Sequence, residues 1–386
     1  MGVKMLILIK TPHETLNYFV DTMAEKYPEA IISDIMSESF FEEIAQVASQ
    51  FNDTTTVIIF NNSGRSVDYY GRNFWEDKKV KLYNMLVDHP LSYMKHLNTA
   101  LSVENFIVID RRHKSFINRY FPAVKVHFLP HGGTGKTELI PYEKREIPLF
   151  YCGNCQKNLT EFPVLPYLNE KAEQYYQFAY QKMTSDYSLE AEDVARLYLK
   201  NECITLSHED ETNLMLLTHA TIERLSRRFY KLQTIKALAE NNIPVKIYGT
   251  GWEEIAKEYP MLIEVHERIT SDECVKYICN SKITLNFMPY FKDGSHERIY
   301  IAMLNKSLCL TDRSVYLEEK FEHGKDIVFF NFHQLEVLCD DIKFLLSNPE
   351  VAEKIIENAY QKTANSTWSD RLDTILREDF DNPDIV

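Results

Sequence analysis

Short, continuous apolar runs recur along this chain, separated by amphipathic segments, and that alternation leaves few folds open. Residues 3–9 (VKMLILI), Thr56–Phe60 (TVIIF), 106–110 (FIVID) and 124–128 (VKVHF) read as strands. Residues 13–27 and 40–51 between them space their apolar residues as a helix does. A strand that is apolar on both faces must be covered on both, which predicts a parallel sheet with helical crossovers. A second series follows the same rhythm: strands at 148–152, 245–248, 283–287, 308–311 and 327–330, with helices at 271–279 and 295–304.

The interval between the two series, residues 158–240, reads as helical, with Leu214, Leu216, Leu217, Ile222, Leu225, Phe229, Leu232 and Ile235 along an apolar stripe. A chain of 386 residues exceeds one ordinary core. The extended, proline-bearing stretch near 140–147 marks a boundary. The expected organisation is α/β throughout: a Rossmann-like domain at 1–145, a second at 146–365 carrying the helical stretch, and a last helix in 366–386 packing back on the first domain.

A formal net charge of −14 argues against a nucleic-acid partner, which needs a basic face. It leaves small anionic ligands open, because a local basic pocket can sit in an acidic protein. The acidic segment 207–213 is expected to lack order. No apolar run approaches the roughly 18 residues that span a bilayer. Seven cysteines, an odd and scattered set, fit a reducing cytoplasm.

Several motifs fall after strands, where open α/β sheets bind ligands. Gly132, Gly133, Thr134, Gly135, Lys136 and Thr137 resemble a P-loop, but Pro130 occupies the place of its first glycine and no helical period follows. Cys152 and Cys155 form a single C-x-x-C without the second pair a zinc site needs. Gly153 and Asn154 between them permit close ligand approach. Gly249 and Gly251, with Trp252, form a G-x-G turn suited to a phosphate, ribose or sugar, or to a plain left-handed turn. Asp293, Gly294, Ser295, His296, Glu297 and Arg298 open a helix, so free N–H groups and a positive dipole end suit a diphosphate. Asp293 and Glu297 then share one helix face, which Ile301 interrupts. Arg298 is placed to neutralise a diphosphate or to pair with Asp312. Asp88, Asp110 and His113 start loops at the carboxyl edge of the first sheet, as does His131.

Residues 282–330 resemble the C-terminal signature of the CgeB-type (spore-maturation-like) glycosyltransferases, a group similar to the GT-B group 1 transferases. The resemblance rests on Asn286, Pro289, Asp293, Gly294, His296, Arg298, Ala302, Met303, Asn305, Thr311, Asp312, Leu317, Glu319, Phe321, Gly324, Lys325 and Asp326. Upstream, VDHP (87–90), IDRRH (109–113), FLPHGG (128–133) and YGTGW (248–252) look like that group's motifs, as do Trp368 and Arg371.

The resemblance implies a GT-B-like fold, two Rossmann-like domains facing across a cleft. It also implies transfer of a sugar, with retention, from a nucleotide-diphosphate donor (a UDP-sugar foremost) to a glycan, protein or lipid-linked acceptor, without cofactor or metal. Asp293, His131 and Arg298 are then catalytic. Gly249, Gly251, Trp252, Gly294, Ser295, His296, Glu297, Thr311 and Asp312 hold the donor. Asp88, Asp110 and His113 face the acceptor; for an inverting reaction His131, Asp88 or Asp110 would be the base. The sequence departs from the family's E-x7-E pattern at Ile301, where the ribose-holding acid belongs, and Glu297 one turn earlier is its replacement. A degenerate binding or scaffold protein and a GT-B-shaped sugar-nucleotide epimerase are the alternatives.

Overall fold

The computed structural model describes residues 5–136, 138–155, 170–289, 291–380, 382 and 385–386. Residues 158–169 of the expected helical stretch, Thr137 of the glycine-rich run and the first two residues of the expected opening strand lie outside them. The chain divides into two compact units: residues 1–134, 270–272 and 364–386, and residues 135–269 and 273–363.

The first unit is built on a parallel sheet of β1 (Leu6–Lys10), β2 (Ile31–Asp34), β3 (Thr56–Phe60), β6 (Lys81–Leu86), β7 (Glu104–Val108) and β8 (Val126–Phe128), in the order β2-β1-β3-β6-β7-β8. A two-stranded ribbon, β4 (Asp68–Tyr69) and β5 (Arg72–Asn73), is inserted before β6. Both faces of the sheet are covered. Leu6, Leu8, Ile58 and Phe60 pack with Phe19 and Trp368 on one side, while Ile7, Ile9, Val57 and Ile59 pack with Phe40 and Trp75 on the other. That is the arrangement strands apolar on both faces require. The helix Trp368–Arg377 belongs to this unit: the Trp368 ring stacks on Phe19 at 4.3 Å, and its backbone N donates to Gly133 O at 3.1 Å. The Gly132–Gly133 segment is thus bound to the start of helix Trp368–Arg377, and among the described residues no α-helix, which a P-loop demands, follows it before strand Ile147–Cys152.

The second unit carries β9 (Ile147–Cys152), β10 (Val245–Tyr248), β11 (Ile263–His266), β12 (Ser281–Asn286), β13 (Leu308–Asp312) and β14 (Val328–Phe330). They run parallel in the order β11-β10-β9-β12-β13-β14. Counted along the chain this is 3-2-1-4-5-6, so the winding reverses between β9 and β12. Ligands of open α/β sheets lie outside the carboxyl ends of the strands at such a switch point.

Between β9 and β10 the chain forms helices Glu170–Ser185, Ala191–Asn201 and His208–Thr218, then a five-residue π-helical turn, His219–Glu223, that leads into helix Arg224–Glu240. Tyr175, Tyr176, Ala179, Met183, Val194 and Ile222 give these helices an apolar cluster of their own. The acidic segment expected to lack order is the start of helix His208–Thr218. Ser207 caps it, accepting from Asp210 N at 3.1 Å, and Glu209, Asp210 and Glu211 lie in the first turn, where the helix dipole favours negative charge. Among the described residues no helix is long and apolar enough to cross a membrane.

Candidate functional site: a cationic cavity at the second unit's switch point

A cavity of about 300 Å³ opens where β9 and β12 end. Tyr151, Gly153, Asn154 and Cys155 form one wall, and Phe287, His296 and Arg298 another. Helix Arg224–Glu240 supplies a third with Arg224, Arg227, Arg228 and Lys231. Five cationic side chains therefore line one cavity of a chain whose net charge is −14. Among the described residues no carboxylate forms part of its wall.

The β9 wall is held by the turn after β10. Gly153 N donates to Tyr248 O at 2.9 Å, Cys155 N to Thr250 O at 2.8 Å, and Asn154 Oδ1 accepts from Thr250 N at 3.0 Å. This contact gives the glycines of the G-x-G turn a packing role of their own. A Cβ on Gly251, whose φ is +89°, would fall onto the carbonyl oxygen of Cys155, and one on Gly249 would lie 2.5 Å from Gly153 O. Both glycines are dictated by backbone packing. Trp252 is fully buried and its Nε1 donates to Gly153 O at 2.8 Å, so it braces the wall from behind and offers no face to a donor.

The β12 wall also differs from the sequence expectation. The helix starts at Glu297, with His296 as its N-cap, so Asp293, Gly294 and Ser295 precede it in a turn. The shared helix face of Asp293 and Glu297 therefore does not exist. The turn is nonetheless fixed: Lys292 Nζ donates to Tyr187 O and Pro289 O, Val315 N to Lys292 O at 2.9 Å, Ser314 Oγ to Gly294 O at 2.6 Å, and Tyr300 OH to Ser295 Oγ at 2.9 Å. Half-buried Asp293 sits between two anchored neighbours. His296 Nδ1 lies 2.9 Å from Glu297 Oε2 and 3.3 Å from Arg298 N, and burial pushes its imidazole towards the neutral form.

Arg298 does not pair with Asp312. Its Nη1 donates to Asn286 Oδ1 at 2.6 Å, and its guanidinium lies over the Tyr151 ring, 5.5 Å from the centroid. Asn286 Nδ2 in turn donates to Thr311 Oγ1 at 2.9 Å. Thr311 is fully buried and orients Asn286, and through it Arg298. Asp312, equally buried, accepts from Met288 N at 2.8 Å, and desolvation raises its carboxyl to about 7.

On the helical wall, Arg224, Arg228 and Lys231 follow one another at the spacing of a single helix face. The sequence reading used this segment, RLSRRFYK, only for its apolar stripe. The signal that was available is the basic residue at each turn on the opposite side. Glu223, 2% exposed at the end of the π-helical turn, receives Arg227 Nη2 at 3.1 Å and lies 2.7 Å from His219 Nδ1. Arg228 Nη2 is 3.9 Å from Glu254, a strongly exposed carboxylate. Lys231 Nζ donates to Asn154 O at 3.1 Å. Its ammonium is lowered to about 8, first by burial, with the charges of Arg227 and Arg298 adding to the effect.

The cavity wall includes His296 of the expected donor residues and Arg298 of the expected catalytic ones. Gly249, Gly251, Trp252, Gly294, Ser295, Thr311 and Asp312 support the walls, and Glu297 stands beside His296. In the first unit, Asp88, Asp110 and His131 follow three adjacent strands, β6, β7 and β8. Exposed Asp88 accepts from Asn61 Nδ2 at 3.0 Å and Tyr93 OH at 3.1 Å. Asp110 caps helix Arg111–Tyr120 through Arg112 N at 2.7 Å, and His113 is fully buried against the His89 ring, centroids 4.5 Å apart. The His131 ring is 2% exposed, packed on Phe19 and Trp368, while its carbonyl oxygen accepts from Arg371 Nε at 3.0 Å.

Comparison with known proteins matches residues 227–377 to a family model described as "Glycosyl transferase-like". No curated protein matches the chain. An alpha-glucosyltransferase solved with UDP-glucose and DNA containing an abasic site has a TM-score of 0.57 and 10% identity, over 98% of this chain and 98% of that one. A glycosyltransferase from Rickettsia africae ESF-5 has a TM-score of 0.54 and 12% identity, over 97% of this chain and 98% of that one. TarM has a TM-score of 0.48 and 11% identity over 86% of this chain, and the chain spans only 57% of TarM's length. At these identities the structural likeness establishes the fold, the two parallel six-stranded sheets of GT-B glycosyltransferases. The span that matches this glycosyl transferase-like model carries Arg227, Arg228, Lys231, His296 and Arg298 of the cavity wall.

Proposed function

We propose that the protein is a glycosyltransferase of the CgeB type that moves a sugar from a UDP-sugar to an acceptor hydroxyl. The observation that carries the proposal is the cavity at the β9–β12 switch point, lined by Arg224, Arg227, Arg228, Lys231 and Arg298. As the glycosidic bond to the donor breaks, negative charge gathers on the departing diphosphate. Preorganised cations in a partly desolvated site stabilise that charge without reorganising at the moment of reaction. Arg298, held between Asn286 and Tyr151, is placed to bind the diphosphate through its guanidinium fork. These side chains supply the positive charge that a divalent ion provides in other enzymes, so metal-independent transfer is part of the proposal.

Asp293 would orient hydroxyls of the sugar, and Glu297 would take the ribose contact that Ile301, 7% exposed within its helix, cannot make. Asp88, Asp110 and His113 remain the proposed acceptor-side residues of the first unit, and His131 its proposed catalytic residue. The acceptor is a glycan, a protein or a lipid-linked hydroxyl, retention follows from the resemblance, and a cytoplasmic setting accords with the seven scattered cysteines. The solved complex of the alpha-glucosyltransferase with UDP-glucose supports the choice of donor.

Thermal shift against UDP-, GDP- and dTDP-sugars, followed by donor hydrolysis, tests the proposal. A ligand at 100 times its Kd stabilises by about 2.7 kcal/mol. No shift with any nucleotide contradicts it. A shift without turnover, unchanged by Asp293→Ala, favours the second reading, a binding protein of transferase shape, which the apolar Ile301 recommends.

A further inference from the structure

We infer that the ligand of the cationic cavity carries a second anionic group besides the diphosphate, on the transferred sugar or on a phosphorylated co-substrate. The inference rests on the donor reading above and adds a substrate class to it. Its basis is the number, spacing and compensation of the cations. Arg227 is compensated by buried Glu223, and Arg228 faces the exposed carboxylate of Glu254 across 3.9 Å. Among the described residues, Arg224, Lys231 and Arg298 still remain without an ion pair, Arg298 with Glu297 as a more distant electrostatic partner and Arg224 exposed at the cavity's edge. The bonds of Lys231 and Arg298 go to neutral oxygens, the Asn154 carbonyl and the Asn286 amide. The diphosphate of a nucleotide sugar brings two negative charges, fewer than these three cations.

Spacing points the same way. Seven residues separate Arg224 from Lys231, about 10 Å along the helix axis. That row is longer than two phosphoryl groups joined through one oxygen, so a diphosphate near Lys231 and Arg298 leaves Arg224 for another anion. Like charges on successive turns of one helix are destabilising. The Lys231 ammonium is depressed first by burial, and the charges of Arg227 and Arg298 act in the same direction. A ligand with separated anionic groups relieves that repulsion.

The test is calorimetric titration of the full chain with UDP-glucose and with UDP-glucuronate, which differ only in a hydroxymethyl against a carboxylate. A second arm titrates glucose 6-phosphate onto the UDP-saturated protein. A charge-assisted bond to Arg224 predicts about tenfold tighter binding of the glucuronate if the group is on the donor. If it is on the co-substrate, the sugar phosphate binds the UDP-loaded protein and glucose does not. In either case Arg224→Ala removes the gain, while lowering affinity for UDP-glucose to a smaller extent. UDP and UDP-glucose that bind well, with no gain from carboxylate or phosphate, overturn the inference and leave the donor reading standing. Failure of UDP itself to bind overturns both.

Discussion

Arg298 Nη1 donates to Asn286 Oδ1 at 2.6 Å, and the same amide donates from Nδ2 to Thr311 Oγ1 at 2.9 Å. One buried asparagine thus connects the end of β13 to a cation on the cavity wall. Thr311→Val keeps the side-chain volume and removes the acceptor. It should cost about 1–3 kcal/mol in denaturant unfolding, because the Asn286 amide is left unsatisfied, and weaken UDP binding severalfold. Arg298→Ala should weaken UDP binding by about tenfold or more, with a smaller change in stability. A Thr311→Val protein that loses stability and keeps full affinity would show that Asn286 does not position Arg298.

Gly251 and Gly324 separate packing from backbone strain. Both have positive φ, +89° and +74°, but a Cβ on Gly251 would overlap Cys155 O, while one on Gly324 has nothing within 4 Å. Gly324→Ala should cost only about 1–2 kcal/mol for a left-handed alanine. Gly251→Ala should cost clearly more and displace the 153–155 wall, so that UDP binding falls along with Tm. Equal losses of Tm in the two variants would contradict the packing role.

Partly buried Lys231 and fully buried Asp312 give opposite pH signatures. Lys231 is depressed from 10.5 to about 8, so between those values the unfolded chain binds more protons, and this group's contribution to stability rises with pH across that window. Anion binding has the reverse sign, because it needs the ammonium: UDP affinity should fall as pH rises through about 8, and Lys231→Arg should flatten the profile. Asp312 is raised from 3.8 to about 7, so the folded state holds the extra proton and stability falls as pH rises from about 4 to 7. Asp312→Asn keeps an acceptor for Met288 N–H. It should raise stability by about 1–3 kcal/mol at pH 8 and by little at pH 5.

Much of the framework was legible in the sequence. Thr56–Phe60 and Val245–Tyr248 are strands with the expected bounds: the first is buried throughout, and the second is buried at every position but Lys246. β2 (IISD) and β11 (IEVH) left no clear trace: each is a short edge strand with polar, partly exposed positions. β6 was obscured by Asn84, fully buried and satisfied by Asn62 Oδ1 and Glu104 Oε1, both at 2.8 Å. At the site, the motif residues His296 and Arg298 were found by pattern. The cations of RLSRRFYK were missed because only the fold brings that helix to β12. The helix start was misplaced because Asp293 is a good N-cap by type, yet backbone contacts hold it in the turn.

Glu297→Ala tests the ribose contact assigned to that residue. Affinity for UDP should fall severalfold, with affinity for inorganic diphosphate unchanged. An unchanged Kd for UDP would return the ribose contact to another residue.

The most direct measurement compares UDP with uridine by titration calorimetry on the intact protein, wild type and Arg298→Ala. If the cationic wall holds the diphosphate, UDP binds at least about 100-fold tighter than uridine, roughly 2.7 kcal/mol, and most of that advantage is lost in the variant. Equal binding of UDP and uridine, or an advantage untouched by Arg298→Ala, would contradict it.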